Sequence, residues 1–379
     1  MGYSRLQSDV CVFILSNDKD GIKQIISVYV DNLLVCSSTP TVCEQFRQAF
    51  QQHVSELKST FSVVKRYLGM ELEETTDSRI RLSQGLYIDE LQRRFSTCCN
   101  LSKVKVPMSS AIQYIAPADR QPESQLLHEV NGCLLYVANT THPEILAPVG
   151  ILSKALKNPP PVMHELYNQI LAFLYNHRDD YIQLGGRDSK IELYAFCDAS
   201  YSQTGESKGR IGIVFYLSAD SGAVVTISKM EKTVSHSSME SEISAIDLTI
   251  RYANYIRNFL AELQLVQLTE TKIYCDSKSS IELTKSLRNT DRSRHLTVKV
   301  NYIREQINSR NVMLVFIPSR HNVADILTKN LSYDLFSKHM QHMKHGFDSN
   351  TIEDLISSTQ MTVHNVYNHK HQITIDYYT

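Results

Sequence analysis

The sequence has few of the features that would assign it at once. Tryptophan is absent from the 379 residues while tyrosine occurs 20 times, and we attach no function to that imbalance. The net charge is −1, so no global basic signal points to nucleic acid, and any such signal must be local. The eight cysteines (Cys11, Cys36, Cys43, Cys98, Cys99, Cys133, Cys197 and Cys275) form no CxxC pair, and no secretory leader is expected from the opening residues. Free thiols in a reducing compartment, cytoplasmic or nuclear and not secreted, are therefore expected over disulfides or zinc. No uninterrupted apolar run reaches the roughly 18 residues a membrane helix needs. The best stretch, IISVYVDNLLVC, is short and has Asp31 at its centre. Low-complexity blocks are also missing. A composition of 42% hydrophobic and 21% charged residues is that of a globular chain, long enough for two or three domains.

What is present is a spaced set of acids. The words IELYAFCDAS, GRIGIVFYLS and SSMESEISAI put Asp198 at the end of an alternating run and Glu242 near the start of a long amphipathic helix. KIYCDS adds Asp276 and NVADILTK adds Asp325. Carboxylates ending separate elements are what a two-metal phosphodiester-cleaving site needs, because two Mg²⁺ or Mn²⁺ ions roughly 3.5–4 Å apart require hard oxygen ligands between and around them. Each acid also has a structural reading. Ser237 to Glu240 fits a capping box, which gives Glu240 a local task and leaves Glu242 beside the apolar stripe that starts at Ile243. Asp276 suits the cap of a helix starting near Ser277. Asp325 suits the positive end of a helix around Ile326. From Lys190 the expected order is three strands, helix, strand, two helices, strand, helix, which implies a mixed sheet with helices packed on it.

The N-terminal third reads as strands at 10–15, 25–30 and 33–38 with Asp31 at a hairpin tip, a helix over 41–57, and one strand over 65–74. Tyr87, Ile88, Leu91 and Phe95 recur at helical spacing as a core-facing stripe. Residues 107–120 read as a linker, and His142 reads as a loop position.

SRLQSDVCVF, VYVDN, RYLGMEL and LSQGLYIDELQRRF resemble successive reverse transcriptase blocks of copia-type LTR retrotransposons. EVNGCLLYVANTTHPEILAPVGILSKAL resembles their connection segment, with His142-Pro143-Glu144 where Arg-Pro-Asp is usual. CDAS, SSMESEISAI, IYCDS and PSRHNVADILTK resemble the ribonuclease H blocks, in order, over about 150 residues. The resemblance implies an α+β or α/β chain: a partial palm and thumb (1–106), a connection (107–188), a ribonuclease H-like mixed five-stranded sheet with flanking helices (189–335), and a tail (336–379). It implies that Asp198, Glu242, Asp276 and Asp325 hold two Mg²⁺ or Mn²⁺ ions and cleave the RNA of RNA–DNA hybrids. It also implies a degenerate polymerase site, since Asp31 stands where the family has its first hairpin aspartate and Asn32 where it has the second. An amide oxygen brings no charge to offset a cation. With only 30 residues before Asp31, the upstream ligand is expected to be missing as well.

In an active element such a chain works inside a cytoplasmic virus-like particle. The resemblance leaves its oligomeric state open. Arg292, Arg294, His295, Lys299 and Arg304 form the local basic stretch, read either as a phosphate grip or as a solvated helix face. His321, near Asp325, is a further candidate. His339, His342 and His345 recur every three residues in the tail, a pattern for either metal binding or local packing. Two functions follow: a divalent-metal ribonuclease H, or a catalytically inactive transposon relic that at most binds nucleic acid.

Overall fold

A computed structural model describes residues 2–17, 21–53, 63–95, 104–108, 124–185, 191–201, 208–231, 235, 237–285 and 296–347. The expected linker beyond Met108, the far end of the expected first helix, Arg292, Arg294, His295 and the tail beyond Phe347 lie outside the described residues.

Three sheets organise the chain. The first is antiparallel, in order β1 (Ser4–Arg5), β2 (Val12–Asn17), β3 (Gly21–Tyr29), β4 (Asn32–Ser37), followed by helix α1 (Pro40–His53). The expected single strand over 65–74 is instead a hairpin, β5 (Arg66–Tyr67) and β6 (Met70–Glu74). Leu68 and Gly69 both have positive φ, 50° and 76°, the geometry of a two-residue primed turn. β7 (Ile80–Ser83) extends that sheet, α2 (Gly85–Phe95) follows, and Ile88 and Leu91 are the buried members of its stripe.

The connecting region is helical: α3 (Gln125–Thr140), a 3₁₀ turn over Pro143–Ile145, α4 (Leu146–Leu152), a 3₁₀ turn over Ser153–Ala155, and α5 (Met163–Asn176). It ends in β8 (Ile182–Leu184), which pairs antiparallel with β7.

The third sheet is mixed and five-stranded, in order β11 (Val225–Met230), β10 (Arg210–Tyr216), β9 (Tyr194–Ser200), β12 (Thr271–Cys275), β13 (Val312–Phe316). β9 runs antiparallel to β10 and parallel to β12. All seven residues of β10 are buried, because both faces of the sheet are covered. One face carries Ala195, Cys197, Ile213 and Ile273 against α6 (Ser238–Glu262), α7 (Lys278–Lys285) and α8 (Thr297–Asn308). The other carries Tyr194, Phe196, Val214 and Tyr274 in a core continuous with Leu134, Val137 and Ile145 of the connecting region, and with α9 (Tyr333–His345). The side-chain period of two along β9 makes this division.

Contacts also tie the first sheet to the third. Leu6, Val12 and Ile14 pack on Phe259 of α6 and on Leu263, which caps its C-terminal end. The Glu262 carboxylate accepts from the Gln7 amide (2.6 Å), the Ser8 amide (3.1 Å) and the Ser8 hydroxyl.

His142 does lie on the short loop between α3 and the Pro143–Ile145 turn, but that loop is folded inward. The His142 side chain is buried, with Nδ1 2.9 Å from Glu144 Oε1. Lys344 of α9, 0% exposed, reaches Glu144 at 2.8 Å and Asp180 at 2.9 Å. Burial opposes charge on Glu144, but Lys344 and His142 hold its carboxyl at about 2. Burial and then Lys344 push His142 below the usual histidine range. The apolar neighbours of the Pro143–Ile145 turn draw it inward, and the Glu144–Lys344 pair makes that burial tolerable.

Candidate active site

Asp198 sits near the end of β9 and is 1% exposed. Its register partner on β10 is Gly212. A Cβ there would lie 2.7 Å from the Ala324 carbonyl oxygen, 2.8 Å from Thr328 Cγ2 and 2.9 Å from Leu327 Cβ. The missing side chain is therefore what lets the 3₁₀ helix Val323–Leu327 settle on the sheet beside Asp198. Asn322 fixes the approach. Its Oδ1 caps the Ala324 amide (3.3 Å) and its Nδ2 donates to the Cys197 carbonyl (2.9 Å). Asp325, on this short helix, is thereby carried to Asp198 and is 2% exposed. Thr328 donates its hydroxyl to Asp198 Oδ2.

Asp276 follows the last residue of β12, and the parallel β9–β12 pairing places it beside Asp198. The cap of α7 is Ser277, whose Oγ accepts from the Ser280 amide (3.4 Å), so Asp276 is not the residue capping that helix. Ser237 caps α6, its Oγ accepting from the Glu240 amide at 3.2 Å. Two residues further on, Glu242 joins the acidic cluster and Glu240 does not.

Ligand atoms of Asp198, Asp276 and Asp325 lie within 4.8 Å of one another, as do those of Glu242, Cys275 and Asp276. Asp276 is common to both groups. Asp325 Oδ2 accepts from Ser319 Oγ at 3.1 Å. Among the described residues, buried Asp325 Oδ1 and Glu242 Oε2 have no hydrogen-bond partner. Burial, then the charge of Asp198, raises the Asp325 carboxyl to about 7. Burial, then Cys275, Asp198 and Asp276, raises Glu242 to about 10. Asp198 is raised too, first by burial. Crowded, mutually repelling carboxylates, with Asp198 and Asp325 buried and Glu242 and Asp276 half-buried, are a poor arrangement without a cation and a good one with it. The all-oxygen donor set of Asp198, Asp276 and Asp325 fits a hard divalent ion.

One positive group stands among the acids. Lys329 Nζ is 3.0 Å from Asp325 Oδ2 and 3.7 Å from Asp198 Oδ2. Burial works against its charge, but those two aspartates outweigh burial and hold it protonated. Sequence reasoning alone does not single out Lys329, Thr328, Asn322 or Gly212. Lys329 has a usable signal, being four residues beyond Asp325, one turn along if that segment is helical. Gly212 has none, since its role depends on a segment more than a hundred residues away.

The other candidates have other partners. His321 is beside Arg320 (3.0 Å) and Lys338 of α9 (3.4 Å). Partial burial and then Lys338 and Arg320 push its pKa down. Lys299 Nζ donates to Ser244 of α6 at 2.7 Å. Arg304 donates to the Leu283 and Thr284 carbonyls, 3.1 and 3.0 Å, at the C-terminal end of α7. His339 is buried, and burial pushes it down to about 3. His342 packs on Phe347 and His345 on Tyr181, and none of the three belongs to a metal-binding group among the described residues. Asp31 and Asn32 are exposed at the β3–β4 tip, where Val30 has φ 54°, and Asp31 belongs to no group of three or more metal-ligating side chains among the described residues. Positive φ at a β-branched residue is strained, so the turn keeps an unusual backbone. None of the described helices is long and apolar enough to cross a membrane.

No family model matches the chain. It is 27% identical over 340 residues to the Pol polyprotein of transposon TNT 1-94 of Nicotiana tabacum, covering 86% of this chain and 25% of that protein. It is 25% identical over 345 residues to the Pol polyprotein of transposon RE1 of Arabidopsis thaliana, covering 89% of this chain and 22% of that protein. The chain thus spans about a quarter of the length of these curated relatives. A foamy viral protease–reverse transcriptase solved with double-stranded DNA aligns at TM-score 0.45 and 15% identity, over 77% of this chain and 45% of that one. Over most of its length, the chain is a homologue of copia-type retrotransposon Pol polyproteins.

Proposed function

We propose that the chain is a fragment of a retrotransposon Pol protein whose working centre is a divalent-metal ribonuclease H, cleaving the RNA strand of RNA–DNA hybrids. The observation that carries this reading is the convergence of Asp198, Glu242, Asp276 and Asp325 from four separate elements, with buried oxygens of Glu242 and Asp325 left unpaired. Mg²⁺ or Mn²⁺ held there would supply charge for the attacking and leaving oxygens of the phosphodiester. Asp198, Asp276 and Asp325 would hold one ion, and Asp276 with Glu242 a second. Thr328 and Ser319 orient the carboxylates of Asp198 and Asp325. Lys329 offsets their charge before an ion arrives and would meet a backbone phosphate in this reading. A 2′-hydroxyl contact is the chemistry that would separate RNA from DNA. Polymerisation is lost in this reading, because Asp31 is an isolated carboxylate on an exposed tip.

The competing reading is a relic that binds nucleic acid without cutting it. It draws on Lys329, which already supplies a positive charge between two of the acids. A labelled RNA–DNA hybrid, purified protein and Mg²⁺ or Mn²⁺ separate the two. Cleavage by the wild type that falls by about three orders of magnitude in Asp198→Asn, with hybrid binding retained, is the expected result. A folded wild-type protein that binds but does not cut would overturn the nuclease.

A further inference from the structure

Arg210 opens β10 and is 6% exposed. A guanidinium carries five N–H donors. The one side-chain bond Arg210 makes among the described residues runs from Nη1 to Ser228 Oγ, 3.0 Å, and no described carboxylate pairs with it. A buried cation without an anion is costly. The fold nevertheless makes room for this one. A Cβ on Gly150 of α4 would lie 2.6 Å from Arg210 Nη1, 3.2 Å from Nη2 and 3.3 Å from Cζ. Four residues on, exposed Lys154 brings a second cation to the same place, also without an ion pair among the described residues. Burial of its stem and then Arg210 push the Lys154 pKa down, and burial lowers Arg210 to about 10. Two like charges are thus brought together over a glycine, across the seam between the connecting helices and the mixed sheet.

The place is tied to the acidic cluster. Arg210 is two residues from Gly212, the register partner of Asp198. Ser228, which holds the guanidinium, donates its own hydroxyl to the Leu327 carbonyl (2.6 Å), next to Thr328.

We infer that Arg210, cradled over Gly150 with Lys154 at the rim, is a seat for a phosphate of the nucleic-acid backbone beside the acidic cluster. It rests on the nucleic-acid-binding part of the proposed function and not on cleavage. Planar N–H donors facing one anion suit a phosphodiester, and the same chemistry would take free inorganic phosphate.

The test measures hybrid affinity of the full chain in EDTA between about 50 and 200 mM salt. Gly150→Ala is the decisive variant. Alanine is the better helix former, and the guanidinium is a flexible end that moves aside, so the fold is kept while the seat is filled. Gly150→Ala and Arg210→Gln should each lose about tenfold in affinity, and Arg210→Gln should lower the log–log salt slope by about one. Lys154→Ala should lose less. If Arg210→Gln does not fold, Gly150→Ala and Lys154→Ala decide. Folded variants with wild-type affinity and slope would overturn the seat, as would a wild type that binds no hybrid. Stabilisation of the wild type by inorganic phosphate that disappears in Arg210→Gln, with hybrid affinity unchanged, would overturn the nucleic-acid assignment. Because binding is read without divalent metal, Arg210-dependent binding by a protein that never cuts would sink the nuclease alone. Cutting with Arg210-independent binding would sink the seat alone.

Discussion

The Asp31–Asn32 hairpin and the Asp198 cluster are two acidic sites with opposite fates. The first presents its carboxylate on an exposed two-residue tip, and Asp31 joins no group of three or more metal-ligating side chains among the described residues. The second draws carboxylates from β9, α6, the end of β12 and a 3₁₀ helix, and buries Asp198 and Asp325 almost completely. The hairpin geometry is local and survives, down to the strained φ at Val30. The chemistry expected of it is not local, and in the proposed function one amide in place of a carboxylate is enough to remove it. The difference teaches that a metal site is a property of the packing that assembles it, more than of the motif that carries one ligand.

The sharpest way to break the assembled site without touching an acid is Gly212→Val. A side chain there meets Ala324, Leu327 and Thr328 and must push the 3₁₀ helix off the sheet. We expect about a 10–100-fold loss of Mn²⁺ affinity and of hybrid cleavage, with about 1–3 kcal/mol of destabilisation from overpacking. Unchanged metal affinity by titration calorimetry would mean that the helix does not position Asp325.

A second way acts from further off. Glu144→Ala strips Lys344 of one of its two acids, leaving Asp180, so a loss of about 3 kcal/mol is expected in denaturant unfolding. The Pro143–Ile145 turn and the helix carrying Asp325 share one core, so weaker metal binding should accompany the loss. A variant as stable as the wild type would show that the buried pair is idle.

The third is a titration. With Glu242 raised to about 10, the metal-free folded chain holds a proton through pH 7–9 that the unfolded chain has released. Stability therefore falls as pH rises in that window, by at most about 1.4 kcal/mol per pH unit. His142 and His339, both lowered, act below about pH 6.5, while Asp325, raised to about 7, adds to the slope at the lower edge of the window and buried Cys197, raised above the usual thiol range, at its upper edge, so the Glu242 contribution is the part that changes between wild type and variant. Mn²⁺ or Glu242→Gln should flatten the slope, because each removes the proton uptake. A slope that persists in both, followed by calorimetry, would detach Glu242 from the cluster.

The smallest effect should come from the hairpin. Asn32→Asp gives the tip a second carboxylate but no third, so primer extension is expected to stay at background. Extension above background would erase the contrast between the two sites.

Much of the fold and of the acidic cluster is legible in the chain itself. Alternation in IELYAFCDAS marks β9 and sends Asp198 to the face opposite Ala195 and Cys197. Ser237 is readable as the cap of α6 because capping depends only on residues within one turn. Strand and helix order over the last third follows from the same short-range rules. The errors fall where sequence neighbours carry no information. RYLGMELEE reads as one strand because Leu68 gives no hint of positive φ, and the burial of the His142 loop goes unread because Lys344, its buried neighbour, is 202 residues away.

The sequence by itself determined which acids exist, which elements they end, and that Asn32 cannot replace a carboxylate. Those are matters of chemical identity and of periods of two and 3.6 residues. Only the tertiary structure decided that Glu242 and not Glu240 joins the cluster. It also decided that Lys329 lies between Asp198 and Asp325, and that Gly212 must stay bare. Each depends on the direction of a side chain relative to an element brought close by packing, and no local rule along the chain encodes that direction.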